Sequence, residues 1–306
     1  MPRPLTFCLV APSGAIRDDA GLARTRKFFQ DRGMAVEIPD AVRATAQRFA
    51  GDDDVRVAAL HEAAARDDVD VIVAARGGYG LSRLLDRIDY QLLAGSGKIF
   101  VGHSDFTALS LALLAKKSYG SFAGPNAVFD FGAEEIDAFT IENFFSTLRS
   151  PQSEIHVDAG DCFPVDVSGT LWGGNLSLVA SLVGTPYLPS VPGGILFLED
   201  VAEHPYRVER MLYQLFHAGI LQQQRALLLG DFSEYRITAN DAGYDMQSVI
   251  AHFRERLAIP ILTSLPFGHM PRKITLPMGA RCDLTTTVTG YRLRLSGYQT
   301  IGNRID

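Results

Sequence analysis

Through its N-terminal part the chain alternates short apolar runs with segments of helical period, and this alternation restricts the fold more than any other feature. Residues 5–11, 34–38, 70–75 and 99–101 are apolar runs of strand length. The run at 70–75 shows no polar alternation after Asp70, as expected of a parallel strand covered on both faces. Residues 18–32 and 55–66 lie between these runs and carry apolar positions at helical spacing: Leu22, Phe28 and Phe29, then Val57, Leu60 and Ala64. Gly33 is suited to stop the first of these helices. Residues 121–124 add a candidate fifth strand. Strands alternating with helices predict a doubly wound α/β unit, whose sites form at the carboxyl ends of strands. Two turns occupy such ends: Arg76-Gly77-Gly78-Tyr79-Gly80 and Gly102-His103-Ser104-Asp105.

The second turn sets a serine between an apolar strand and a helix-period segment containing Leu109, Leu111, Ala112, Leu113 and Leu114. That is the layout of a nucleophile elbow. An elbow holds a hydroxyl at a strand tip and aims the first N–H groups of the helix at whatever the hydroxyl attacks. A serine in such a turn also serves as a helix N-cap, a job open equally to Asp105. Phe106 stands where the second glycine of G-x-S-x-G would be. The first turn fits a bend needing positive φ and matches neither G-x-G-x-x-G nor a Walker pattern. Its adjacent glycines, one strand before the elbow, are placed to lend an N–H to an oxyanion hole.

Around residues 148–153 the pattern shifts to strands and turns, which divides the chain into an N-terminal domain, 1–150, and a second domain, 151–306. Strands are expected at 154–157, 165–171, 194–199, 226–230 and 259–265, and helices at 176–182, 208–218 and 246–257. Strands and turns fill 273–301. Glu199 ends an apolar strand, where an acid that orients a catalytic imidazole would sit; Asp200 and Glu203 compete for that role. Of the seven histidines, His269 lies in a Gly/Pro-bounded loop after an apolar strand and is the best-placed base. His103 is expected on the opposite side of its turn from Ser104. His217 and His252 fall within helices as structural residues. Trp172, the single tryptophan, reads equally as core or as a pocket wall. His61-Glu62 does not extend to H-E-x-x-H, and no set has metal-ligand spacing, so no metal is expected. The order Ser104, Glu199, His269 is the serine–acid–histidine order of α/β-hydrolases.

A formal net charge of −6 and a pI near 5.7, with no basic stripe, argue against a nucleic-acid binder. Cys8, Cys162 and Cys282 form no CxxC pair, which disfavours a disulfide framework and fits a reducing cytosol. The run 5–11 is too short to span a membrane and reads as a buried strand rather than a signal peptide.

Together the motifs resemble the LD-carboxypeptidase family of serine peptidases. The resemblance covers nearly the whole chain. It rests on Ala11-Pro12-Ser13-Gly14, on Arg76-Gly77-Gly78-Tyr79-Gly80 with Ser82-Arg83-Leu84-Leu85, and on Gly102-His103-Ser104-Asp105-Phe106-Thr107. It continues through Gly169-Thr170-Leu171-Trp172-Gly173-Gly174-Asn175, Leu198-Glu199-Asp200, the segment from His204 to Arg210, and Phe267-Gly268-His269. The resemblance implies an N-terminal flavodoxin-like parallel-sheet domain and a smaller, strand-rich C-terminal α/β domain, with the site at their interface. It implies Ser104 as nucleophile, Glu199 as acid and His269 as base. The oxyanion hole would use the Asp105 N–H and one from Gly77 or Gly78. The implied reaction is hydrolysis of an L,D peptide bond, releasing D-alanine from a murein tetrapeptide in the cytoplasm. The enzyme would be a homodimer with no cofactor, no nucleic-acid partner and no membrane partner. The candidate substrate contacts are Tyr79, Trp172 and Asn175, with Arg76, Arg207 and Arg210 as partners for the substrate carboxylates, because a guanidinium grips a carboxylate bidentately. Two alternatives stay open. One is an immunity-type peptidase that cleaves a peptidyl-nucleotide antibiotic. The other is a non-catalytic small-ligand-binding protein using the glycine turn as a phosphate nest.

Overall fold

The structure, a computed structural model, describes residues 3–160 and 164–302. Cys162 lies outside the described residues. β1 (Thr6–Val10) is buried along its whole length, and Asp18 caps α1 (Asp19–Gln30) by accepting the Gly21 N–H. There follow β2 (Ala35–Glu37), α2 (Asp53–Ala65), β3 (Val71–Ala74), α3 (Tyr90–Gly95), β4 (Ile99–Gly102), α4 (Thr107–Lys117), β5 (Phe122–Ala123) and α5 (Ala138–Arg149). The five strands are parallel in the order β2-β1-β3-β4-β5. That is the flavodoxin-like order, with its topological switch point between β1 and β3. Two helices, α3 and α5, lie where the sequence reading places none. α3 is six residues long, too short for a helical period to register. α5 does carry the pattern: Ile141, Phe144, Phe145 and Leu148 form its buried side, and Asp137 caps it.

The second part comprises β6 (Gln152–Asp158), β7 (Asp166–Asn175), α6 (Leu176–Ser181), β8 (Ile195–Val201), α7 (Pro205–His217), β9 (Ala226–Ser233), α8 (Met246–Arg256), β10 (Ile261–Leu262), β11 (Leu276–Pro277), β12 (Arg281–Thr286) and β13 (Gly290–Ser296). A seven-stranded sheet runs β10-β9-β8-β7-β12-β13-β6, parallel from β10 to β7 and antiparallel beyond. β7 passes its expected end at residue 171 and reaches Asn175, which pairs with Glu199 on β8. Glycine allows this extension. A Cβ on Gly174 would come within 2.6 Å of Thr107 Oγ1, so the strand end presses directly on the start of α4. The Asn175 N–H donates to that same hydroxyl at 3.1 Å. β11 pairs antiparallel with β5, so a strand from beyond residue 151 completes the first sheet.

One continuous cluster of buried side chains joins Phe106, Leu109 and Leu113 beneath the first sheet to Trp172, Leu176 and Phe197 of the second. Phe7, Phe28, Phe29, Phe131 and Phe144 fill the other face of the first sheet. Each fully buried Leu or Phe is worth about 1.5–3 kcal/mol. α4 is buried from Thr107 to Leu113, so the helix that follows the serine turn is clamped between the two sheets. Among the described residues no helix is long and apolar enough to cross a membrane.

Candidate active site

β4 brings the chain to the carboxyl edge of its sheet. His103 is extended, with φ −139° and ψ −172°, and Ser104 then takes φ +63°. A non-glycine residue in this left-handed region costs about 1–2 kcal/mol. Such strain persists where the surroundings over-determine it, as in an elbow turn. Asp105 does not cap α4, contrary to one sequence expectation. Its carboxylate accepts the Ser13 hydroxyl at 2.6 Å and the Leu81 N–H at 2.8 Å. The loops after β1, β3 and β4 are thereby tied together at the switch point. Burial raises the Asp105 pKa above the usual carboxylate range, with those two hydrogen bonds opposing. Gly77 meets the serine directly. A Cβ there would lie 2.7 Å from Ser104 Cβ and 2.8 Å from its Oγ. Gly78 follows at φ +90°.

Glu199 is 0% exposed on β8 and accepts a 2.7 Å hydrogen bond from Nδ1 of His269, on the loop after β10. Its other oxygen receives the Asn175 side-chain amide at 3.3 Å. Burial raises the Glu199 pKa, while His269 pulls it back. Burial depresses that of His269, but the hydrogen bond and charge of Glu199 outweigh it, and the net shift is upward. With Nδ1–H committed to the carboxylate, Nε2 is left as the acceptor. Ser104 and His269 line one cleft of about 420 Å³.

His103 also lines this cleft, which corrects the expectation that it turns away. Its ring packs edge-on against His269 with centroids 5.3 Å apart. Its Nδ1 must donate, because its partner at 2.9 Å is the Gly124 carbonyl. Burial, then the charges of Lys273 and His269, push its pKa well below the usual value and favour the neutral ring. Lys273 and Asp130 pair at 2.8 Å in the cleft wall with side chains 3% and 4% exposed. Sequence reasoning gave these two no role. Lys273 follows Arg272 and looks like an ordinary surface cation until the fold supplies its partner.

Two family profiles match the sequence: the LD-carboxypeptidase N-terminal domain over residues 8–124 and the LD-carboxypeptidase C-terminal domain over residues 168–284. The chain belongs to the LD-carboxypeptidase family. Muramoyltetrapeptide carboxypeptidase from Oxalobacter formigenes, a crystal structure, is 43% identical and superposes with a TM-score of 0.91 over 96% of this chain and 100% of its own. The murein tetrapeptide carboxypeptidase of Pseudomonas aeruginosa is 29% identical over 94% of each chain. The microcin C7 self immunity protein MccF shares the fold, with a TM-score of 0.89 at 21% identity over 98% of each chain.

For an LD-carboxypeptidase, the side chains expected at the substrate divide sharply. Arg76 lines the cleft. Tyr79 is 48% exposed beside Phe49 and is not part of the cleft wall. Trp172 is 1% exposed and donates its indole N–H to Gln224 at 2.9 Å. The pocket-wall expectation is therefore corrected: an enclosed indole offers no face to a ligand. Asn175 is buried, and its amide is committed to Glu199, Asp200 and the first turn of α6. It orients the acid instead of facing the cleft. Arg207 pairs with Glu203 and, like Arg210, sits exposed on α7 outside the cleft wall. Phe129, which the sequence did not single out, lines the cleft and is 60% exposed. His217 and His252 pack on Tyr213, a structural role as expected. A larger groove of about 890 Å³ between α1 and α5 brings no serine and histidine together.

Proposed function

We propose that this chain is a serine carboxypeptidase that hydrolyses the L,D peptide bond before the terminal D-alanine of a murein tetrapeptide. One observation carries the reading: a buried Glu199 holds Nδ1 of His269 at 2.7 Å, in the cleft where Ser104 stands at φ +63°. Nε2 of His269 takes the proton of Ser104 Oγ as that oxygen attacks the carbonyl of the third residue. The oxyanion accepts N–H groups from Asp105 and from Gly77 or Gly78. Collapse of the tetrahedral intermediate breaks the C–N bond, and His269 returns the proton to the departing D-alanine nitrogen. Water then hydrolyses the acyl-enzyme by the same base. The strained Ser104 and the tight approach of Gly77 both support this placement. The 43%-identical neighbour, a muramoyltetrapeptide carboxypeptidase, supports the substrate. The cytoplasmic setting, in which wall fragments are recycled, and the homodimer belong to the same proposal; sedimentation of the purified chain tests the latter.

A second reading, an immunity-type peptidase acting on a peptidyl nucleotide, draws on Phe129, whose exposed ring in the cleft could stack on a base. The non-catalytic alternative falls with family membership. Incubation with murein tetrapeptide, followed by mass spectrometry, should show loss of one alanine, abolished in Ser104→Ala. Intact tetrapeptide beside efficient cleavage of a peptidyl nucleotide would replace the first reading by the second.

A further inference from the structure

The cleft beside Ser104 is lined by two basic side chains, Arg76 and Lys273. Lys273 is already matched by Asp130 at 2.8 Å. Arg76 is different. No carboxylate among the described residues pairs with it; its charged neighbours are Arg17 and Arg48. Its Nε donates to the Gly77 carbonyl at 3.2 Å and its Nη1 to the Ala15 carbonyl at 2.9 Å. Those two bonds fix the guanidinium plane, while Nη2 makes no hydrogen bond among the described residues. The group is half-buried and surrounded by like charge. Such a fork is organised for a carboxylate that arrives with a ligand.

The position suits one carboxylate in particular. Arg76 is anchored on Gly77, the residue whose Cβ would touch Ser104 Oγ. In a peptide ending one residue past the scissile bond, the terminal carboxylate carbon is three bonds from the attacked carbonyl carbon. With bonds of about 1.3–1.5 Å, the two carbons lie within roughly 4 Å. The terminal anion must therefore sit in the wall immediately beside the nucleophile. Lys273 has its charge spent there, and Arg76 does not.

We propose that Arg76 binds the carboxylate of the departing C-terminal amino acid and so makes this cleft an exopeptidase site. It rests on the reading of Ser104 as nucleophile given above. A peptide amidated or extended at its C-terminus would place a neutral amide against the guanidinium and be rejected.

The test measures binding and turnover separately. In a Ser104→Ala background, calorimetry compares the tetrapeptide free acid with its C-terminal amide. The acid should bind on the order of 10–100-fold tighter, the range for a hydrogen-bonded charge. Arg76→Gln should bring that ratio close to one by weakening the acid alone. Arg76→Lys, which keeps the charge and loses the fork, should fall between. The Lys273→Met/Asp130→Leu double variant, which removes both partners of the buried pair and leaves no unmatched charge of that pair in the cleft wall, should leave the ratio standing. A ratio that survives Arg76→Gln, or collapses in that double variant instead, overturns the proposal, as does failure to bind either peptide. Turnover with Ser104 restored separates the two readings. Preference for the acid in binding without any hydrolysis would sink the reaction and leave the Arg76 contact standing. Equal cleavage of acid and amide would sink the contact and leave the reaction standing.

Discussion

Gly77→Ala is the sharpest probe of how the cleft is built. The φ of Gly77 lies outside the left-handed region, so alanine is compatible with the backbone there. The new methyl would lie 2.7 Å from Ser104 Cβ, about 0.7 Å short of the 3.4 Å at which ordinary contact begins. Either Ser104 or the glycine turn must give way by that amount. A misplacement of about 1 Å at a reacting atom costs about 10²-fold in rate, or about 2.7 kcal/mol of barrier. Overpacking a filled core costs about 1–3 kcal/mol. One side of this contact opens into the cleft, so the expected loss of stability is at the lower end, about 1 kcal/mol. The assay is the initial rate of D-alanine release at subsaturating tetrapeptide, alongside thermal melting. Gly95→Ala serves as control, since a Cβ there meets nothing within 4 Å. Gly77→Ala should lose about two decades of kcat/KM with little change in melting, and Gly95→Ala should lose nothing. Activity of Gly77→Ala within three-fold of the parent would refute the claim that this turn positions the serine.

Because Glu199 raises the pKa of His269, kcat/KM should rise with pH through a value above the ordinary imidazole pKa. Glu199→Gln should move that acid limb downward and cut kcat on the order of 10⁴-fold by disturbing the tautomer, both visible in one pH–rate profile. The same contact adds stability that is complete below the unfolded imidazole pKa and fades as pH climbs through the higher folded value; melting at several pH values should show this slope, and a slope of opposite sign would contradict the ion pair. Lys273→Met should cost about 3–5 kcal/mol by leaving Asp130 buried and uncompensated, with much of it recovered in the Lys273→Met/Asp130→Leu double variant, as read by urea unfolding. Trp172→Phe should cost about 1–3 kcal/mol through the orphaned Gln224 oxygen yet leave kcat/KM within a few-fold; a selective loss of activity would place the indole at the substrate after all.

Local pattern was enough to read the first sheet. Apolar runs such as 70–75 can be satisfied only between two layers, and the turns at their carboxyl ends already marked where Arg76, Gly77 and Ser104 would gather. The helical period of α5 was equally present in Ile141, Phe144, Phe145 and Leu148, but a six-residue α3 carries too few positions to declare itself. The sequence by itself also determined the residue types at the site: a serine in a strand-to-helix turn, an acid closing an apolar strand, and a histidine in a glycine–proline loop. What it could not determine was which side chains share space across long separations. Asn175 reads as a loop amide until β7 extends and pairs it with Glu199. Trp172 reads equally as core or as a pocket wall until both sheets close over it. His103, adjacent to Ser104 in the chain, was expected on the far side, yet the positive φ of Ser104 breaks strand alternation and both residues line one cleft. The contrast between Lys273, matched by Asp130, and Arg76, matched by no carboxylate among the described residues, likewise arises only in three dimensions. Periodicity records which faces of an element are buried, because burial is a local demand on each strand or helix. The pairing of charges and hydrogen bonds between distant segments leaves no periodic trace, so the tertiary structure alone decided it.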